Sequence, residues 1–258
     1  ITFSSSNLIN NHIIDYSESQ LKFLTNLKKK LKDTKLENNI KIHNNTNVLL
    51  IGESIIDEYV FCEALGKSGK EPVLALRDLY TKIYPGGAIA IAKHLSDFCK
   101  QVTFVTMIGE DNKYKDLILR SLPKNVKTYF ISKLDSPTII KKRYIEKDNK
   151  NKLIGVYKIN DGPLKNKNEN QLNSYLKKFL PKNDIVITSD YGHGFISQFS
   201  ANLISKSKKF TALNAQVNAS NIGYHSLAKY KNIDTIIINE TELRHELRDR
   251  NGKLENLI

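Results

Sequence analysis

Residues Val48 to Phe61 read VLLIGESIIDEYVF, and this stretch decides the fold. The apolar run Val48-Leu49-Leu50-Ile51 is the length of a strand buried on both faces and too short for a helix. Gly52 ends it, and Glu53, Ser54, Asp57 and Glu58 follow. A buried parallel strand that stops at a glycine and delivers carboxylates is how open α/β sheets place ligand groups at their carboxyl edge. The competing reading is a core strand followed by a solvated loop.

Downstream, short apolar runs alternate with helical periodicity. Strands are expected at 73–76, 102–107, 126–131, 138–146, 152–159, 184–188, 210–213 and 234–238. Helices are expected at 88–98, 113–121, 169–180, 196–208 and 240–248. Tyr84-Pro85-Gly86-Gly87 reads as a turn by composition. Strands separated by helices mean parallel βαβ units, hence an α/β fold with a mostly parallel central sheet. The alternation is unfinished at Ile258, and an open sheet is expected to continue.

Upstream, Ser17 and Gln20 have capping-box spacing before Leu21, Leu24, Leu27 and Leu31, which share a helix face. The opening ITFSSS suits a short strand running into a turn, and residues 37–47, rich in Asn, read as a linker. Residues 1–46 therefore read as a tail and connecting helix, and 47–258 as the main domain.

The 258 residues suffice to bury a core, and 40% hydrophobic with 26% charged residues is ordinary for a globular protein. No apolar run is long enough to span a bilayer, and the first residues lack the basic-then-apolar order of a signal peptide. Cys62 and Cys99 form no disulfide framework and no metal-ligand spacing. A cytoplasmic protein with no membrane partner is expected. The net charge of +13 raises nucleic-acid binding, but the lysines are dispersed among Asn and Ile. No nucleic-acid partner is expected, and an anionic small substrate suits such a surface equally well.

Gly66-Lys67-Ser68 hints at a phosphate loop, but the glycine that motif needs is replaced by Phe61. Gly86-Gly87 before a helix of small residues would let backbone approach a ligand closely, or serve as an ordinary turn. Ser189-Asp190-Tyr191-Gly192-His193-Gly194 follows the strand Ile185-Val186-Ile187-Thr188, a ligand-bearing location. There His193 reads as a loop histidine before it reads as a base or a phosphate contact. Asn239 and Glu242, three apart at a strand-to-helix junction, fit a capping box, water ordered around a nucleotide-bound Mg²⁺, or both together. The six histidines are scattered, so no directly ligated metal is expected.

Taken together, these pieces resemble the PfkB (ribokinase-like) carbohydrate kinases, most of all the sugar-phosphate kinase domain of bifunctional ADP-heptose synthases. The matching pieces begin with Gly52 and Asp57-Glu58-Tyr59, Glu71-Pro72-Val73, and Pro85-Gly86-Gly87-Ala88. They continue with Gly109-Glu110-Asp111, Pro137-Thr138-Ile139 with Lys141 and Arg143, Ser189-Asp190-Tyr191, and Asn239 with Glu242. The resemblance implies a Rossmann-like domain with a small β lid and transfer of the ATP γ-phosphate to a sugar hydroxyl. It implies that Asp57 holds sugar hydroxyls, that Gly86 and Gly87 lie against the sugar with Asp190 nearby, and that Lys141 and Arg143 face its phosphate. Asn239 and Glu242 would organise the Mg²⁺–phosphate region. The implied cofactors are ATP and Mg²⁺. The implied partners are a sugar or sugar-phosphate substrate and a second copy joined through the lid.

Three positions depart from the family: Ala90 for an Asn that touches sugar, His193 for a lysine, and Asn214-Ala215-Gln216 for Asp-Pro-Lys. The Gly-Ala-Gly-Asp motif that carries the catalytic Asp is absent, so no catalytic residue is assigned within the chain. That Asp is expected beyond Ile258, and the chain is read as a fragment, inactive alone. The opening residues resemble the end of a nucleotidyltransferase domain. The leading expectation is thus a bifunctional kinase and nucleotidyltransferase for activated-sugar and surface-polysaccharide synthesis. The alternative is a non-catalytic sugar-phosphate-binding or regulatory module.

Overall fold

The computed structural model describes residues 17–30, 45–217, 221 and 226–258. The chain divides into two compact units, residues 1–43 and residues 44–258. In the first, helix α1 spans Glu18–Lys30. Its start is a reciprocal cap: Ser17 N–H donates to Gln20 Oε1 at 2.8 Å, and Ser17 Oγ accepts from Gln20 N–H at 3.3 Å. The strand expected at the amino terminus, Leu31 and nearly all of the linker lie outside the described residues.

The second unit is a three-layer α/β domain. Its strands are β1 Asn47–Lys67, β2 Leu74–Gly87, β3 Gln101–Gly109, β4 Val126–Lys133, β5 Ile139–Glu146, β6 Lys152–Lys158, β7 Ile185–Asp190, β8 Phe210–Ala215 and β9 Thr235–Ile237. The helices are α2 Ala88–Ser96, α3 Lys115–Ser121, α4 Asn166–Phe179, α5 Gln198–Ser205 and α6 Glu240–Leu247. The main sheet runs β4-β3-β1-β7-β8-β9, with every neighbouring pair parallel.

β1 is central, so its first residues are covered on both faces. Leu49 and Ile51 pack toward Leu172, Leu176 and Phe179 of α4 with Ala201 and Ile204 of α5. Leu50 points the other way, into Ala88, Ile89 and Ala92 of α2 and Ile118 of α3. Each such side chain contributes about 1.5–3 kcal/mol on burial. The small residues of α2 let that helix lie close against the sheet.

Beyond Glu53 the same strand leaves the main sheet and enters a second one. From Ser54 it pairs antiparallel with β2, and from Ile55 parallel with β5, which carries β6 on its far side. This is the small β lid. It departs from expectation in two places. The lid strand expected at 73–76 runs on to Gly87, because β2 is a largely exposed strand with no alternation to betray it. The turn expected at Tyr84 to Gly87 is the end of that strand. Pro85 is accommodated opposite Ile56 because β2 pairs with β1 alone, and an edge strand tolerates the missing N–H.

Candidate substrate site at the β1 crossing

The point where β1 passes from one sheet to the other gathers most of the expected site residues. Asp57 stands opposite Lys141 in the β1–β5 register, and Arg143 opposite Tyr59. Arg143 Nη1 nevertheless reaches diagonally to Asp57 Oδ1, and its guanidinium lies over the Tyr59 ring at 5.6 Å and the Tyr157 ring at 6.0 Å. Lys141 is buried, with Nζ 5.7 Å from the Tyr191 ring centroid. Burial holds its ammonium below the ordinary lysine range, while the Asp57 charge pulls the other way.

Gly86 and Gly87 complete this corner from β2, opposite Ile55 and Ser54. A Cβ on Gly86 would sit 2.1 Å from Asp57 Oδ2. Gly87 has φ +58°, and a Cβ there would meet the Glu53 carbonyl oxygen and Ile55 Cγ1, each at 2.8 Å. The first glycine keeps room for the Asp57 carboxylate. The second allows the chain to swing from β2 into α2.

Asp190 lies at the carboxyl end of β7, but its carboxylate is engaged by the protein. It is buried, accepts from Tyr230 Oη at 2.6 Å and Gly192 N–H at 3.0 Å, and pairs with Lys229 Nζ at 2.6 Å. The Tyr230 phenol is pushed well above its ordinary range by burial and by Asp190. Asn239 and Glu242 form the capping box of α6: Glu242 N–H donates to Asn239 Oδ1 and Asn239 N–H to Glu242 Oε2, both at 2.9 Å. Glu242 Oε1 also accepts from Val217 N–H at 3.2 Å. These residues follow β9, three strands from β1 in the sheet order, so they do not join the Asp57 cluster. With their oxygens so used, they fit water-mediated contact to a metal on nucleotide phosphates better than direct ligation. No group of three metal-binding side chains occurs among the described residues.

Four side chains belong to the same edge and were missed or misread in the sequence. Glu53 is fully buried and accepts from Tyr191 N–H at 2.9 Å and His193 N–H at 3.2 Å. Burial first, and Asp190 second, raise its carboxyl to about 7. Lys133, at the end of β4, donates to the Asn160 carbonyl at 2.5 Å and the His193 carbonyl at 2.9 Å. His193 is not a free loop histidine: its ring is wholly buried, with Nδ1 2.6 Å from Asp161 Oδ1. Asp161 lies after the lid strand β6 and was invisible as its partner, being 32 residues away in sequence. Glu58, by contrast, is tied away from Asp57, accepting from Tyr114 Oη at 3.0 Å and pairing with Lys142 Nζ at 3.2 Å.

Residues 45–258 match the pfkB family carbohydrate kinase profile. The chain belongs to that family. It is 27% identical to bifunctional protein HldE of Blochmanniella floridana over 149 residues, which is 58% of this chain and 30% of that protein. It is 25% identical to D-beta-D-heptose 7-phosphate kinase of Bordetella bronchiseptica over 152 residues, 58% of this chain and 47% of that protein. The chain thus spans less than half the length of these relatives. Phosphofructokinase-2 from Escherichia coli, in a crystal structure with substrates and products, superposes with a TM-score of 0.58 at 15% identity, covering 83% of this chain and 66% of that one. A carbohydrate kinase from Agrobacterium tumefaciens gives 0.55 at 16% identity over 78% and 62%. At these identities the structures speak for the fold alone. Among the described residues no helix is long and apolar enough to cross a membrane.

Proposed function

We propose that this chain carries the acceptor half of an ATP-dependent sugar-phosphate kinase, with a heptose phosphate as the favoured substrate class. The observation that carries the reading is the meeting of Asp57, Lys141 and Arg143 at the β1 crossing. A carboxylate there accepts hydrogen bonds from sugar hydroxyls. The guanidinium has five N–H donors, so it can pair with Asp57 and still meet phosphate oxygens. Lys141 adds a point charge, and partial desolvation strengthens its attraction for an anion. The likeness to heptose kinases supports the substrate class.

In the reaction the acceptor oxygen forms a bond to the γ-phosphorus, the bond from that phosphorus to the ADP oxygen breaks, and the hydroxyl proton passes to a base. In this reading that base is none of the residues gathered at the β1 crossing, and the protein is a bifunctional one that also carries a nucleotidyltransferase and serves activated-sugar synthesis. Mg²⁺ on the nucleotide phosphates would offset charge as the phosphoryl group moves. The residues within this chain bind and orient the acceptor, which is most of what phosphoryl transfer asks of a protein. The test is ATP-dependent phosphorylation of D-β-D-heptose 7-phosphate by the full-length protein, with none by residues 1–258 alone.

Two further features bear on the assembly and the alternative. The lid exposes Leu74, Leu79, Ile83, Ile154 and Val156, which suits a lid-to-lid homodimer. Sedimentation of the full-length protein, compared with an Ile83→Lys variant, tests it. The non-catalytic reading is favoured by one observation: the Asp190 and Glu242 carboxylates are already engaged by the protein. Sugar-phosphate binding without phosphoryl transfer by the full-length protein would support that reading.

A further inference from the structure

His193 has a second ring nitrogen that nothing accounts for. Its Nε2 is buried and meets no hydrogen-bonding partner among the described residues. A buried polar atom left in this state costs about 1–3 kcal/mol. The ring cannot turn away from that cost, because Nδ1 is held by Asp161 at 2.6 Å. Nor can the loop drift: the His193 N–H donates to Glu53, its carbonyl accepts from Lys133, and Leu164 N–H donates to the Gly194 carbonyl at 3.1 Å.

The loop lies at the carboxyl end of β7, beside Tyr191, over whose ring Lys141 sits. Burial keeps the imidazole below its ordinary range, with the Lys141 and Lys133 charges adding to the effect and the Asp161 bond opposing it. A neutral ring that donates its Nδ1 proton to Asp161 presents a bare lone pair at Nε2. Such an atom accepts from a hydroxyl and repels a phosphate oxygen.

We propose that His193, oriented by Asp161, is a substrate-positioning residue whose Nε2 accepts a hydrogen bond from a hydroxyl of the acceptor sugar. This rests on the sugar-phosphate reading above. Nε2 is covered, so a hydroxyl reaches it only as a neighbour gives way. Lys141 is close enough for its charge to act on the imidazole, and the phosphate it would be drawn to arrives on the same molecule. Phosphate capture by Lys141 and hydroxyl reading by His193 are then two steps of one binding event.

The test is nitrogen NMR of the full-length protein with ¹⁵N-labelled histidine, titrated with D-β-D-heptose 7-phosphate and, separately, fructose 6-phosphate. The expected result is an unprotonated Nε2 whose resonance moves upfield on saturation with the sugar that binds. Asp161→Asn should shift the tautomer and weaken binding. His193→Ala should weaken it about tenfold, and His193→Gln, which keeps an acceptor oxygen, should recover most of the loss. Binding that leaves the His193 Nε2 resonance unmoved overturns this proposal alone, even if His193→Ala fails to fold. Absence of any binding to either sugar phosphate overturns it together with the kinase reading.

Discussion

Asp57 and Arg143 are joined diagonally across two parallel strands, although the register places Asp57 opposite Lys141 and Arg143 opposite Tyr59. Asp57 therefore pairs with Arg143, while the buried Lys141 feels the charges of Asp57, Glu53 and Asp161 and is still held below the ordinary lysine range by burial. The pair is about one-fifth exposed on each side. It contributes about 1 kcal/mol to stability, and its larger consequence is a positively biased corner. Replacing Arg143 with Ala should weaken sugar-phosphate binding about ten- to a hundredfold, as expected for loss of a charge-assisted bond. The same change should leave binding of the unphosphorylated sugar within about threefold. Paired calorimetric titrations read this difference.

Lys141 should show the opposite balance of binding and stability. Its buried ammonium costs desolvation, so Lys141→Met should leave thermal stability unchanged or raised while sugar-phosphate affinity falls at least about tenfold. A melting curve and a titration on the same preparation settle it. A clear loss of stability would mean that Lys141 holds the lid together.

Glu53 sets a pH dependence. Burial raises its carboxyl from 4.5 to about 7, so the folded chain binds this proton more tightly than the unfolded one. Its stabilising contribution is fully present below about pH 4.5 and is lost as pH rises through about 7. Urea unfolding of wild type and Glu53→Gln across that range should show the wild type losing on the order of 1–3 kcal/mol that the variant does not lose. Parallel stability curves for the two proteins would contradict it.

The two glycines should separate stability from binding. Gly87→Ala puts a side chain at positive φ against the Glu53 carbonyl and should cost about 1–3 kcal/mol. Gly86→Ala collides with the movable Asp57 carboxylate, so its main effect should be on sugar affinity, with a smaller loss of stability. Chemical denaturation and titration of both variants distinguish the two effects.

Much of the fold was legible because buried parallel strands announce themselves. Val48 to Ile51, Val102 to Met107 and Ile185 to Thr188 are apolar runs with helices between, and they form β1, β3 and β7 at the centre of the sheet. β2 was not legible beyond its first residues. Arg77, Asp78, Tyr80 and Lys82 are exposed, so hydrophobic periodicity carries no signal there. Within the site, Asp57 stood out as a carboxylate following a buried strand, whereas Lys141 and Arg143 were singled out only by the family resemblance. Glu53 sat in the same quoted stretch and was passed over, since its partners are backbone N–H groups 138 and 140 residues away. The pairing of His193 with Asp161 is likewise a product of the lid's return path, which no local spacing reveals. Asp190 looked available in sequence, but folding brings Tyr230 and Lys229 onto its carboxylate.

In the proposed function, the β1 crossing binds a phosphorylated sugar through Lys141 and Arg143. Calorimetric titration of the full-length protein with D-β-D-heptose 7-phosphate tests it most directly, run beside the double variant Lys141→Met, Arg143→Ala. Saturable binding by the wild type that the folded double variant loses is the predicted result. Equal binding by both proteins, or none by the wild type to any phosphorylated sugar, would mean that Lys141 and Arg143 do not form a sugar-phosphate site.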